Sequence, residues 1–174
     1  MNKLLLLPFE TVSERPTIIE LEDGNSLSFT NRIHQIAIDP STEKIEGLNF
    51  RFQKPQILLY ENNLDTYVDP NPENSWEKNR FEKSDIDEDK SLDFVVDQNF
   101  SYYEFSFQGE KFLIILTAEI VSVYLTGYYK EDGEPVYWVK HTSNLSISPL
   151  TGDDLTYINQ SKSGTNRKRR SRKR

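Results

Sequence analysis

The sequence contains no cysteine. Disulfides, thiolate zinc sites, iron–sulfur clusters and a cysteine nucleophile are therefore excluded together, and a reducing compartment fits. Two histidines, His34 and His141, are too few for a histidine-rich metal site. The seven glycines stand singly at turns, so neither a Walker A loop nor a G-x-G-x-x-G loop is present. The G-x-S-x-G elbow of serine hydrolases is missing as well. No apolar run approaches the roughly 18 residues of a spanning helix. The leucines of "MNKLLLLPFE" run straight into Pro8, short of the roughly 7–15-residue core of a signal peptide, and read as an edge strand. The expectation is a soluble, non-enzymatic protein without cofactors, cytoplasmic, or nuclear in a eukaryotic cell.

Apolar residues make up only 36% of the 174 positions, but aromatics reach 12%, which is too many for wholesale disorder. A chain of this length can bury a core without staples. Charge is distributed unevenly. All 28 acidic residues lie before residue 155, while Lys162 to Arg174 holds eight cations and no acid. The body, 1–161, is left with 13 basic residues and a formal charge of −15, against −7 for the whole chain. Opposite signs in two parts of one chain point to a functional tail. The organisation expected is a β-domain over 1–154 and a flexible basic tail over 155–174.

Alternation of period two dominates the body. Strands are expected in "TIIELEDGNSLSFT" (17–30), at 33–38, 48–52, 56–60, 92–96 and 100–107, then at 111–116, 119–129, 135–140 and 144–148. About ten short strands with regular turns indicate an all-β fold, an antiparallel sandwich or partly open barrel. In the first hairpin, a three-residue loop Asp23-Gly24-Asn25 pairs Leu21 with Leu27 and Ile19 with Phe29. It separates apolar from polar faces, whereas a two-residue loop mixes them. Asn25 would then take the left-handed conformation. A two-residue Gln108-Gly109 turn sets Phe105 opposite Phe112 and Tyr103 opposite Ile114. Because Leu113 and Ile115 make the next strand apolar on both faces, that hairpin belongs in the middle of the fold. Residues 61–91 form a long acidic loop, with one helical turn near 75–83 and Asn74 as its cap.

The hairpin "YLTGYYKEDGEPVYWVK" (124–140) carries the first candidate surface. A Glu131-Asp132-Gly133 loop, with Gly133 left-handed, pairs Leu125 with Val139 and Gly127 with Tyr137. Val121, Val123, Leu125 and Val139 then share the core side. Tyr124, Thr126, Tyr128, Trp138 and Lys140 share the other. If wet, that aromatic–cationic face suits stacked bases or a protein partner; otherwise it is a second layer of core. A shorter Asp132-Gly133 loop would put Lys140 on the apolar face, which disfavours it.

"DIDEDKSLDFVV" (85–96) has the alternating oxygens of a calcium loop, with Asp85, Asp87 and Asp89 first. Lys90 replaces the glycine of the sharp turn and Val96 the bidentate glutamate, so these aspartates are weak metal candidates and a solvated acidic loop is expected. Glu88-Asp89-Lys90 matches half of a metal-dependent nuclease motif, but on a loop rather than a strand.

The tail remains. Lys162, Arg167, Lys168, Arg169, Arg170, Arg172, Lys173 and Arg174 include five arginines, which favour bidentate phosphate contacts. No apolar residue lies among them, so lipid insertion is disfavoured. The leading expectation is an accessory or adaptor protein. Its tail would attach to DNA or RNA with little regard to sequence, and its acidic β-domain would bind a protein partner through Tyr124, Tyr128, Trp138 and Lys140. Three alternatives stand beside it: a single-stranded nucleic-acid binder stacking bases on that face, a metal-dependent hydrolase using the 85–93 carboxylates, and a self-assembling structural protein. Residues 61–93 carry 11 acids and four bases, and offer the tail a partner within its own chain.

Overall fold

A computed structural model describes residues 4–41, 44–63, 65, 71–78, 90–161 and 166–170, the side chains of 155, 157, 159–161 and 166–170 excepted. Its thirteen strands are nearly all antiparallel. In chain order they are β1 (Leu5–Leu7), β2 (Phe9–Ser13), β3 (Thr17–Leu21), β4 (Ser26–Thr30), β5 (Ile33–Ile38), β6 (Leu48–Phe52) and β7 (Gln56–Glu61). Then come β8 (Ser91–Leu92), β9 (Phe94–Gln98), β10 (Ser101–Phe107), β11 (Glu110–Tyr129), β12 (Pro135–Pro149) and β13 (Asn166–Arg170), with one helix, α1 (Gly152–Ser161), between the last two. They form three sheets: β1-β5-β6, β12-β11-β10-β2 with β8 on β11, and β13-β9-β3-β4-β7. The sandwich-like, all-β expectation holds.

Two pairs of expected strands are continuous, which lowers the count, while β2, β8 and β13 lie outside the expected strands and raise it to thirteen. Residues 111–116 and 119–129 belong to one strand of 20 residues, β11, and 135–140 and 144–148 to one of 15, β12. Thr117, Ala118 and Glu119 are polar or small but hold no turn residue, so nothing there stops the ladder. This ribbon spans two cores. Phe112, Ile114 and Leu116, with Tyr103 of the same sheet, close over Ile33 and Ile36. Farther along, Ala118, Ile120 and Val123 close over Ile19, Leu27 and Phe29. One long sheet therefore roofs both of the other sheets. Pro8 lies between β1 and β2, where the chain leaves the small sheet for the long one. β1 is an edge strand as expected; Leu5 and Leu6 are exposed on it, and Leu4 just before it.

Register is right at one hairpin and displaced by two at the others. Phe105 opposes Phe112 and Tyr103 opposes Ile114, as read from the Gln108-Gly109 turn. Both turn residues have positive φ, as a type I′ turn requires. In the first hairpin the loop does have three residues, but they are Glu22-Asp23-Gly24. Leu21 N–H donates to Asn25 C=O at 2.8 Å, Ile19 opposes Leu27 and Thr17 opposes Phe29. Gly24, not Asn25, takes the left-handed conformation, at φ +85°. The faces remain as expected because a shift of two restores side-chain parity. At the β11–β12 turn, Lys130 N–H donates to Glu134 C=O and Gly133 has φ +86°, as expected. A bulge at Gly127, φ +81°, then shifts the ladder, so Leu125 opposes Tyr137 and Val123 opposes Val139. Thr126 Oγ1 secures the bulge, donating to Val136 C=O and accepting from Tyr128 N–H. A second irregularity, between Ile120 and Ser122, leaves Val121 exposed rather than in the core.

Helix α1 was not anticipated. Thr151 precedes it, and Asp154 reaches back to accept from Thr151 N–H at 2.7 Å and Thr151 Oγ1 at 2.8 Å, a variant of the capping box. Ile158 is 2% exposed and packs on Tyr102 and Leu113. The second apolar face of the β10–β11 hairpin is thus covered by a segment whose latter part was read as flexible tail. Within the long loop, a 3₁₀ turn spans Pro72–Asn74. Its cap is Asn71, accepting from Glu73 N–H at 3.1 Å. A turn follows at Ser75, and 79–83 lie outside the described residues.

Candidate functional site

The aromatic face of the β11–β12 ribbon is assembled as a cross-strand ladder. Tyr124 stands directly opposite Trp138, and Ser122 opposite Lys140. On its other side β11 is flanked by β8, with Ser91 opposite Tyr124. Tyr124, Tyr128 and Trp138 are each half-buried, and Lys140 is exposed. Tyr128 meets Trp76 edge-on, ring centroids 6.1 Å apart. The Trp76 segment is fixed beside the ribbon by its N–H bond to Tyr129 C=O. The four residues are brought together on one face, partly covered, with the cation at the wetter end. Such a face offers flat, rigid contact area next to a positive charge.

On the core side of the same ribbon lies a polar network that sequence reasoning missed. Tyr137 is 7% exposed and Asn25 is 1% exposed. Tyr137 O–H donates to Asp23 Oδ2 at 2.6 Å and accepts from Asn25 Nδ2. Asn25 Oδ1 accepts from Asn63 N–H at 2.7 Å, and Asn63 Nδ2 donates to Asp23 C=O at 3.0 Å. Three segments distant in sequence meet there: the β3–β4 turn, the exit of β7, and β12. Burial, then the Asp23 carboxylate, holds the Tyr137 phenol well above its ordinary pKa. Only the Asn after the Asp-Gly turn hinted at this. Beside the network, Leu27, Ile57, Leu59, Trp76, Lys54 and Pro135 line a cleft of about 210 Å³. Its rim carries the Lys130–Glu134 ion pair.

A second tyrosine is held the same way. Tyr103, 1% exposed, donates to Glu14 Oε1 at 3.1 Å, and Glu14 in turn binds Arg32 Nε at 2.8 Å. Burial is the main cause that pushes its pKa up to about 12. His141 lies on β12 against Phe29, ring centroids 4.8 Å apart, and burial lowers its pKa. His34 is exposed on β5. The histidines therefore sit on different sheets. Among the described residues no group of three His, Asp or Glu could hold a metal ion; Asp85, Asp87 and Asp89 lie outside them.

The tail is only partly described. Lys162, Arg172, Lys173 and Arg174 lie outside the described residues. Arg167, Lys168, Arg169 and Arg170 form most of β13, which runs antiparallel to β9 as the outermost strand of its sheet. The register sets Arg167 opposite Asp97, Lys168 opposite Val96, Arg169 opposite Val95 and Arg170 opposite Phe94. β9 lies just past the 61–93 loop, which the sequence offers as one partner for the tail. Asp97 is half-buried, and its Oδ1 is buried without a hydrogen-bond partner. No described helix is long and apolar enough to cross a membrane. No family model, curated protein or solved structure matches the chain.

Proposed function

We propose that this protein is a non-enzymatic adaptor that attaches to nucleic acid through its basic C-terminal segment, while the acidic β-domain engages a protein partner. The observation that carries the reading is charge separation: eight cations and no acid over 162–174, beside a body of formal charge −15. A body of that sign repels phosphates over most of its surface, so attraction to a polyanion falls to the terminal segment. Arginine forks supply paired donors to phosphate oxygens and no sequence readout. Lys140, Trp138 and Tyr124, contiguous on the β11–β12 ribbon, are the partner contacts. Neutralising eight phosphates on duplex DNA gives a log–log salt slope of about −7. Deleting 162–174 is expected to abolish low-salt binding of DNA and RNA in fluorescence anisotropy. Equal binding by the truncated chain would refute the reading.

The Tyr124–Trp138 pair supports a second reading, in which single-stranded bases stack on the ribbon and the tail assists. A stacked base is worth about 1–3 kcal/mol. Trp138→Ala should then weaken oligonucleotide binding at least several-fold, and tryptophan fluorescence should quench on saturation. Unquenched fluorescence at saturation removes this version.

A further inference from the structure

The polyanion-binding segment is itself seated in the fold, on a surface of the opposite sign. Five consecutive residues of β13 pair with five of β9. That gives nucleic acid a competitor within the same chain. On one face of this sheet the register sets Arg167 beside Asp97, and Arg169 beside Val95, whose partner on the far side is Glu20 of β3. Asp97 adds a carboxylate to that face, and its Oδ1 is buried without a hydrogen-bond partner even with β13 paired to β9, which counts against the docked arrangement. On the other face, Lys168 and Arg170 take the positions opposite Val96 and Phe94, both 7% exposed core residues. Cations at core-side positions make β13 a poor permanent member of the sheet. Backbone pairing to β9 holds the strand there, and a polyanion competes with that edge for the same basic residues.

We infer that β9 is the resting dock of the basic segment, and that docking on β9 and binding of nucleic acid are mutually exclusive. This deepens the proposed function. Docked, cations 167–170 lie against a body whose field repels phosphate. Released, they extend from it and pair with the backbone of a nucleic acid. Apparent affinity is then the intrinsic affinity scaled by the undocked fraction. Nucleic acid, by holding the released segment, raises the fraction of chains whose β9 edge is free.

Two proline variants of the full chain test this. On an edge strand, alternate N–H groups face the neighbour and alternate ones face solvent. Lys168→Pro and Arg169→Pro each remove one cation, but only one of the two removes a hydrogen bond to β9. Amide hydrogen exchange is read over Phe94–Gln98, and affinity for a short duplex DNA by anisotropy. One variant should accelerate exchange in β9 and, if the segment is docked about nine-tenths of the time, bind DNA about tenfold more tightly. Its sibling should keep β9 protected and bind slightly more weakly than the parent. Adding DNA to the parent should accelerate β9 exchange. Indistinguishable siblings, or β9 exchange unchanged by deletion of 162–174, would overturn the dock. DNA binding that leaves β9 protected would overturn the exclusivity while leaving the adaptor reading intact. Absence of DNA binding by both parent and released variant overturns the adaptor reading, and with it the competition, whereas the exchange data without DNA still decide the dock.

Discussion

Removing the Tyr137 hydroxyl should cost more than its size suggests and should change the pH dependence of stability. Tyr137→Phe deletes the bond to the Asp23 carboxylate at 2.6 Å and the acceptor of Asn25 Nδ2. A hydrogen bond to a charged group contributes about 1.5–3 kcal/mol. Asn25 Nδ2 keeps a longer contact with Asp23 Oδ2 at 3.3 Å, so it is not stranded, and the expected loss is about 2 kcal/mol. The pH effect has a definite sign. The folded phenol pKa lies above its unfolded value near 10, so between those values the folded state holds a proton that the unfolded state has lost. Stability from this group is complete below pH 10 and falls as pH rises, by up to about 1.4 kcal/mol per pH unit. Tyr103, raised to about 12, adds a second slope of the same sign over pH 10 to 12. Urea denaturation of parent and variant between neutral pH and pH 11 reads both effects. The parent should lose up to about 2.7 kcal/mol per pH unit above pH 10 from the two groups together, and the variant about half that. A variant that loses less than about 0.5 kcal/mol at neutral pH, or keeps the parent's alkaline slope, would show that the network does not hold the two hairpins together.

Two glycines in similar conformations should respond differently to alanine. Gly24 and Gly109 have φ +85° and +82°, but a Cβ on Gly24 would lie 2.8 Å from Asn63 Nδ2, while one on Gly109 meets nothing within 4 Å. Gly109→Ala should cost about 1–2 kcal/mol by conformation alone, and Gly24→Ala measurably more; equal losses in urea melts would deny the steric part. Ile158→Ala should cost about 2–4 kcal/mol if α1 seals the second face of the β10–β11 hairpin, and should expose Tyr102 and Leu113 to solvent. A loss under 1 kcal/mol would mean that the helix rests on the sheet without sealing it.

What was legible in the sequence was parity. Alternation placed Ile19, Leu21, Leu27 and Phe29 on one buried face, and the structure agrees. Parity cannot separate registers that differ by two, so the first hairpin came out one step displaced along both strands. Gly24 held the missing information, since the residue able to take positive φ locates the turn. Gln108-Gly109 was unambiguous because both the length and the turn chemistry pointed to one register. Gly127 lay inside an expected strand, and a glycine there signals a bulge; reading it so would have moved Val139 onto Val123. α1 was missed because three large apolar residues in ten, Leu155, Tyr157 and Ile158, make too short a run for a periodic signal, although Thr151 and Asp154 formed a legible cap. β13 had no apolar alternation to find: its pairing is a property of the β9 backbone edge. Of the candidate face, the grouping of Tyr124, Tyr128, Trp138 and Lys140 was legible. The Trp76 segment beside it was not, because contacts across a long loop leave no local pattern.

The continuous β11–β12 ribbon has a consequence for the order in which the chain can become stable. Strands β1 to β7 are synthesised first, yet both cores need the ribbon as their roof. Until residues 110–149 have emerged, the Ile19–Leu27 face and the Ile33–Ile36 face have nothing to close over them. Once it exists, the ribbon can form by itself around a three-residue turn, and the earlier strands then close on it across long loops, the slow kind of step. Folding should therefore be late and cooperative. A chain interrupted between β7 and β11 would present two unroofed apolar surfaces at once.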